Sequence, residues 1–356
     1  MKNQKLFSKD FTLVVIGQIV SLFGNATVRF ALPLYLLNHT GSSALYGAVT
    51  ACAFLPAILL SPVGGMVADR VNKRNIMVAL DFFTAAVILG FTLLMGGGHL
   101  ILLLTVTLML LYGIAGAYQP SVQASIPALV GQERFMEANS VINAVSSLAS
   151  LVGPVLGGML YSACGLEPVL WVCTVCFVLS AVMEIFIRIP FQRQGSEGGI
   201  LRTVRADFAR SVRFIRKEKP VIGKALLAVC GINLFLSAMI VVALPYLVTE
   251  VLDLETAQAN RLYGFAQGAL AAGGLAGGIG AGLFAKKLAV RRVGNLIVAC
   301  AVSVFPMGAA LLLSSSAMAT YMVLTLCCFA VMVFSTMFSV QMMSFIQKET
   351  PQNLIG

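Results

Sequence analysis

Long apolar runs alternate with short polar breaks along the whole chain, and within each run the hydrophobicity is continuous, not alternating from residue to residue. A helix needs about 20 apolar residues to cross a bilayer. Inside lipid the backbone must satisfy its own hydrogen bonds; an uninterrupted apolar run does so as a helix, whereas a barrel strand would alternate. The pattern predicts ten spans, at residues 11–37, 43–67, 75–96, 100–128, 134–163, 168–188, 221–249, 258–285, 293–313 and 317–346. Residues 1–10 are polar and the first run is far longer than a signal peptide's apolar region, so the first helix is expected to remain in the mature protein.

The polar breaks set the orientation. Lys2, Lys5, Lys9, Arg70, Lys73, Arg74, Arg134, the basic residues of 188–224, Lys286, Lys287, Arg291, Arg292 and Lys348 all fall on the side of the N-terminus. The breaks at 38–41 and 96–99 carry no Lys or Arg, and of 24 such residues only Arg29 and Arg261 lie elsewhere. The positive-inside rule then places the N-terminus in the cytoplasm and the protein in the cell's inner membrane. A net charge of +10 follows from that topology, so no nucleic-acid partner is expected.

Composition narrows the class further. With 59% hydrophobic and 11% charged residues, a water-soluble globule is excluded. The eight cysteines lie in or beside apolar runs; Cys173 and Cys176 spell CxxC but read as small apolar filler in a helix, and no metal or other cofactor is expected. The two histidines, His39 and His99, both sit in turns, no catalytic constellation emerges and no phosphate-loop pattern occurs. Neither an enzyme nor an ATP-driven pump subunit is indicated.

The chain divides at its one long connection. Residues 1–188 form a first six-helix half, 189–220 a cytoplasmic linker and 221–356 a second half with four helices. In the linker Leu201, Val204, Phe208, Val212 and Ile215 recur at helical spacing among arginines, the pattern of an amphipathic helix on an anionic leaflet or of a solvated linker helix. The halves repeat: Ala31-Leu32-Pro33 matches Ala243-Leu244-Pro245, Tyr46-Gly47 matches Tyr263-Gly264, Lys73-Arg74 matches Arg291-Arg292, and Ser121-Val122-Gln123 matches Ser339-Val340-Gln341. If the repeat is complete, the last two helices of the second half would follow Gly356, and the chain is expected to lack them.

Three motifs carry a family resemblance. Gly65 to Arg74, reading GMVADRVNKR, resembles the major facilitator motif G-x-x-x-D-R-x-G-R-R, with Asn72 where Gly is usual. Its Gly65 permits close helix approach, and Asp69, Arg70, Lys73 and Arg74 are suited to a charge-assisted network holding a gate closed. In the second copy Lys286 replaces the acid, so no acidic gating role is carried there. Gly153-Pro154-Val155-Leu156-Gly157-Gly158 is similar to the GPxxGG motif of efflux antiporters. Gln119 to Pro127, with Gly17-Gln18 and Ala31-Leu32-Pro33, looks like the macrolide-efflux and enterobactin-exporter-like branch.

The resemblance implies an all-α membrane protein of the major facilitator fold, with two pseudo-symmetric six-helix halves and a central cavity lined by helices one, four, seven and ten. It implies a monomeric secondary transporter exporting small amphipathic organic molecules, of drug or siderophore type, coupled to protons or another ion. The alternatives are an inactive truncated remnant and an importer of the same superfamily. The helix-four Arg of many drug–proton antiporters is absent, which separates this chain from their coupling scheme.

Polar periodicity nominates the substrate contacts. Gln18, Ser21, Asn25 and Arg29 fall on one face of helix one, and Thr105, Tyr112, Gln119 and Gln123 repeat the arrangement in helix four. Such a face avoids lipid and lines either a cavity or an interhelical contact. Asn233 and Ser237 in helix seven, and Ser335 and Gln341 in helix ten, complete the set. Asp81 is the candidate proton site, too far down its helix to pair with Arg29, and Glu184 is expected to pair with Arg188 at the interface.

Overall fold

The computed structural model describes residues 7–130, 134–189, 213–283, 293–313 and 316–349; within these, the side chains at 61–70, 127–128, 135–136, 217–218, 237–238, 293 and 347–349 are not described. The described residues are helical almost throughout. The first six helices are α1 (Lys9–Thr40), α2 (Ser43–Arg70), α3 (Lys73–Leu94), α4 (Leu100–Leu129), α5 (Phe135–Cys164) and α6 (Leu166–Ile185). They are followed by α7 (Pro220–Ala238), the three-residue α8 (Leu244–Tyr246), α9 (Thr256–Leu283), α10 (Val293–Leu313) and α11 (Ala317–Glu349).

Local chemistry sets the helix ends. Ser8 caps α1 by accepting from the Phe11 N–H, and Gly41, at φ 61°, ends it in a left-handed turn that L side chains rarely adopt. Asn72 accepts from the Arg74 N–H and so caps α3, with φ −59°, a value open to any residue. The departure from the usual Gly therefore supplies an N-cap and costs no backbone strain. Between α7 and α8, and again after α8, the chain opens into wide π-turns at Met239–Ala243 and Leu247–Val251. Pro245 lies between them, where its missing N–H interrupts the regular ladder.

Nine helical segments are long and apolar enough to cross a membrane, among the described residues. The expected span at 258–285 forms α9 but is not one of them: Gln258, Asn260, Arg261, Gln267 and a run of glycines dilute its apolar character. Large apolar side chains such as Leu59, Val172, Leu227 and Phe305 face outward, as expected where lipid is the solvent. Glu184 corrects an expectation. It does not pair with Arg188; it is fully buried, while the Arg188 N–H donates to Asp10 at the start of α1.

The chain forms two compact units, Met1–Gln194 with Pro245–Gly268, and Gly195–Leu244 with Ala269–Gly356. In the first, α2 packs along α4, α3 along α6, and α1 against both α5 and α6. Small residues allow the closest approaches: a Cβ on Gly116 of α4 would lie 3.0 Å from the Ala57 carbonyl of α2. In the second unit α10 packs along α11. The expected amphipathic linker helix and the second copy of the loop motif fall mostly at 190–212 and 284–292, outside the described residues.

Candidate functional site

Polar side chains from four helices meet inside the first unit. Gln18 Nε2 donates to the Tyr118 hydroxyl at 2.7 Å, and that hydroxyl donates to Glu184 Oε1 at 2.7 Å. One turn along α1, Ser21 Oγ donates to Asp81 Oδ1 at 3.1 Å. On α6, Ser180 Oγ donates to the Gly17 carbonyl at 3.1 Å. Gln18, Ser21, Ser180 and Glu184 are 0% exposed and Asp81 2%, so this knot is closed to solvent and lipid. Gln18, expected along a substrate path, is here committed to Tyr118, and Asp81 is held by a serine. Tyr118 and Ser180 went unrecognised in the sequence and Glu184 was assigned to Arg188, although Ser180 and Glu184 lie four residues apart in a largely apolar helix, the spacing of one polar face.

Arg29 occupies a second site on the same helix. Its guanidinium donates to the Leu111 carbonyl at 2.9 Å and stands 4.0 Å from the centre of the Tyr112 ring. Phe54 meets that ring edge-on at 4.7 Å, so α1, α2 and α4 build a cationic and aromatic patch. Asn25, one turn earlier, is half-buried. Of the two expected faces, Arg29 and Tyr112 are thus brought together. Gln119 is half-buried and Gln123 exposed, and Thr105 is spent on the Ile101 carbonyl of its own helix.

A third polar set ties α9 to α1, α2 and α5. Asn38 Nδ2 donates to Asn260 Oδ1 at 2.9 Å and to the Tyr161 hydroxyl at 3.3 Å, while Arg261 Nε donates to Ser162 Oγ at 3.0 Å. The hydroxyls of Tyr46 and Tyr263 stand 3.5 Å apart, and Phe30 stacks on Tyr263. Arg261 faces a serine and has no acidic partner among the described residues. The GPxxGG stretch supplies the approach: a Cβ on Gly158 would lie 2.8 Å from the Asn260 carbonyl and 3.2 Å from Gly264 Cα, and one on Gly153 would overlap Ala26. The motif's glycines are thus contact surfaces for α1 and α9.

The other candidates are spread out. Asn233 is exposed and bonds the Val229 carbonyl of its own helix, and Gln341 bonds the Ala281 carbonyl at 3.4 Å. Ser335 is buried beside an apolar crevice of about 210 Å³ lined by Ile232, Cys300 and Phe338. The side chains of Gly65, Asp69, Arg70 and Ser237 lie outside the described residues. Lys73 and Arg74 are half-buried at the start of α3. No group of three or more His, Cys, Asp or Glu is placed to hold a metal, among the described residues.

Residues 14–356 match the Major Facilitator Superfamily. The chain belongs to this superfamily. Members of this superfamily are transporters and not enzymes. Macrolide efflux protein A of Streptococcus pyogenes is 25% identical over 191 residues, covering 53% of this chain and 47% of that protein. Multidrug resistance protein MdtG of Enterobacter lignolyticus is 30% identical over 52% of this chain and 45% of that protein. Lysophospholipid transporter LplT of Cronobacter sakazakii is 30% identical over 44% and 38%. These matches span about half the length of the curated relatives, or less. Among solved structures, a bacterial homologue of the iron transporter ferroportin, facing inward, superposes with TM-score 0.71 at 18% identity, covering 98% of this chain and 86% of that one. The nucleoside transporter NupG gives TM-score 0.73 at 11% identity, with 97% and 84% covered. At such identities the superpositions establish the fold alone.

Proposed function

We propose that this transporter exports small amphipathic organic molecules, of drug or siderophore type, by alternating access and in exchange for protons. The observation that carries the reading is the contact of Arg29 with Tyr112 on helices one and four, both expected to line the path, with Phe54 of α2 closing on the ring. A cation over an aromatic ring offers an organic molecule both an apolar face and a polar handle. The relatives named for macrolide efflux and multidrug resistance point the same way. Asn25, Gln119 and Gln123 extend the polar lining, Asp81 takes the exchanged proton, and the two pseudo-symmetric halves move about the bound substrate as a monomer. The test is accumulation of a labelled macrolide in cells with and without the protein. Accumulation should fall with expression and recover when a protonophore collapses the gradient; no difference on expression defeats the reading.

The orientation of the reading is testable separately. The N-terminus and the 189–220 connection are expected in the cytoplasm, because the Lys and Arg bias is so one-sided. A single cysteine placed at Gln194, in a chain stripped of accessible native thiols, should label only after permeabilisation. Labelling of intact cells from outside would reverse the topology.

Asp69→Asn should slow exchange between gate states more than it weakens substrate binding, because the loop motif acts on the gate and not on the cavity. Flux is expected to drop about tenfold while affinity shifts by less than about twofold, the size of a coupling term near 1.4 kcal/mol. Both are measured on one preparation. Equal losses would assign the residue to the cavity.

A further inference from the structure

Three oxygens in the buried knot of the first unit have no hydrogen-bond partner: Gln18 Oε1, Asp81 Oδ2 and Glu184 Oε2. Hydroxyl protons recorded nearby are already committed. Ser21 gives its proton to Asp81, Tyr118 gives its to Glu184, and Ser180 divides its between the Gly17 carbonyl and Asp81. Asp81 and Glu184 are held in the same knot one turn of α1 apart, Asp81 through Ser21 and Glu184 through Tyr118 and Gln18. The titratable groups facing the knot are thus Asp81 from α3, Glu184 from α6 and Tyr118 from α4, while α1 contributes uncharged Gln18 and Ser21. Arg29 lies farther along α1 and is occupied by the Leu111 carbonyl and the Tyr112 ring. Two carboxylates and an amide oxygen are therefore shut away from water with no positive charge beside them among the described residues. Buried acceptors left this way are costly, and a bound cation removes the cost.

We propose that Gln18, Asp81 and Glu184 form a binding site for a dehydrated monovalent cation of the sodium class. The donor set is all oxygen, with no imidazole or thiol, which selects a hard ion. Calcium takes six to eight oxygens and magnesium keeps several of its waters. Here three acceptors stand open, supplemented at most by the Ser21 and Ser180 hydroxyl oxygens, on side chains 0–2% exposed. That favours a small ion stripped of water. With one sodium bound, one carboxylate remains ionised and the other keeps a proton, so the pair carries one negative charge against one positive. The site goes beyond the export reading: it depends on no substrate, and it makes sodium and protons competitors for the same oxygens.

The test uses the purified full chain in detergent with radioactive sodium, at constant ionic strength balanced with choline. Binding should saturate and be displaced by unlabelled sodium but not by choline. Affinity should weaken up to about tenfold per pH unit on acidification, once protons claim the carboxylates. Asp81→Asn and Glu184→Gln should each weaken it at least about tenfold, and Glu184→Asp, which keeps the charge on a shorter arm, by less. Glu167→Gln, on the exposed start of the same helix, should bind as the parent does, and a monodisperse elution profile shows that each variant is folded. Absence of saturable sodium binding, binding unchanged in both carboxylate variants, or displacement by calcium or magnesium at lower concentration than by sodium overturns the proposal. Proton uptake with no sodium dependence assigns the carboxylates to protons alone and also overturns it. Macrolide export is assayed separately, so its failure leaves the sodium result standing.

Discussion

Gly158→Val should abolish transport while the chain still inserts in the membrane. A Cβ at this position meets the Asn260 carbonyl at 2.8 Å and Gly264 Cα at 3.2 Å, both backbone atoms that cannot rotate aside. Forcing α5 away from α9 costs roughly 1–3 kcal/mol of packing, and the added valine methyls enlarge the clash. The displacement also strains the nearby bonds that Asn38 and Arg261 make across this contact. Gly157→Ala meets a movable Phe30 ring at 3.2 Å and should be milder, and Gly90→Ala, with nothing within 4 Å, should be silent. Initial rates of export from cells with matched protein levels, together with thermal stability in detergent, rank the three. Equal rates for Gly158→Val and Gly90→Ala would remove the GPxxGG stretch from the working contact surface.

Arg29→Met should reduce export by about tenfold or more, because it takes away the cation over Tyr112 and the donor to the Leu111 carbonyl, while leaving a side chain of similar length. A desolvated cation–π contact contributes about 2 kcal/mol and a charge-assisted hydrogen bond a similar amount, so tenfold is a conservative reading of their joint loss. Arg29→Lys keeps the charge without the planar fork and should fall between the two. The pattern of compounds exported is the sharper readout. A change in preference between cationic and neutral macrolides places Arg29 at the substrate; a uniform loss makes it a brace between α1 and α4.

Helix positions were readable from the sequence because each depends on one local property, a run of apolar residues long enough to span lipid. The stretches expected at 293–313 and 317–346 form α10 and α11 with little adjustment. Side-chain partners were less readable. Gln18 looked like a lining residue because a periodicity of polar groups cannot tell a cavity from a knot; that depends on what the neighbouring helices present, and α4 presents Tyr118. Glu184 was misread for the opposite reason, since Arg188 four residues away offered a local partner while the true one, Tyr118, is 66 residues distant. The Gly158 contact was half legible: the glycines announced close packing, but nothing in the motif names α9 as the helix received.

The pair formed by Tyr46 and Tyr263 has an evolutionary corollary. These residues occupy matching positions in the internal repeat, 217 residues apart, and their hydroxyls face one another at a distance where either can donate. A contact between like partners links the fates of two duplicated segments, because a change in one copy removes the companion of the other. Losing the Tyr263 hydroxyl strands that of Tyr46 in a buried place, whereas losing the Tyr46 hydroxyl leaves Tyr263 still bonded to Gln267 Nε2 at 2.9 Å. Divergence at these positions is therefore expected to be one-sided: Tyr263 can outlast a change at Tyr46 more readily than Tyr46 can outlast a change at Tyr263.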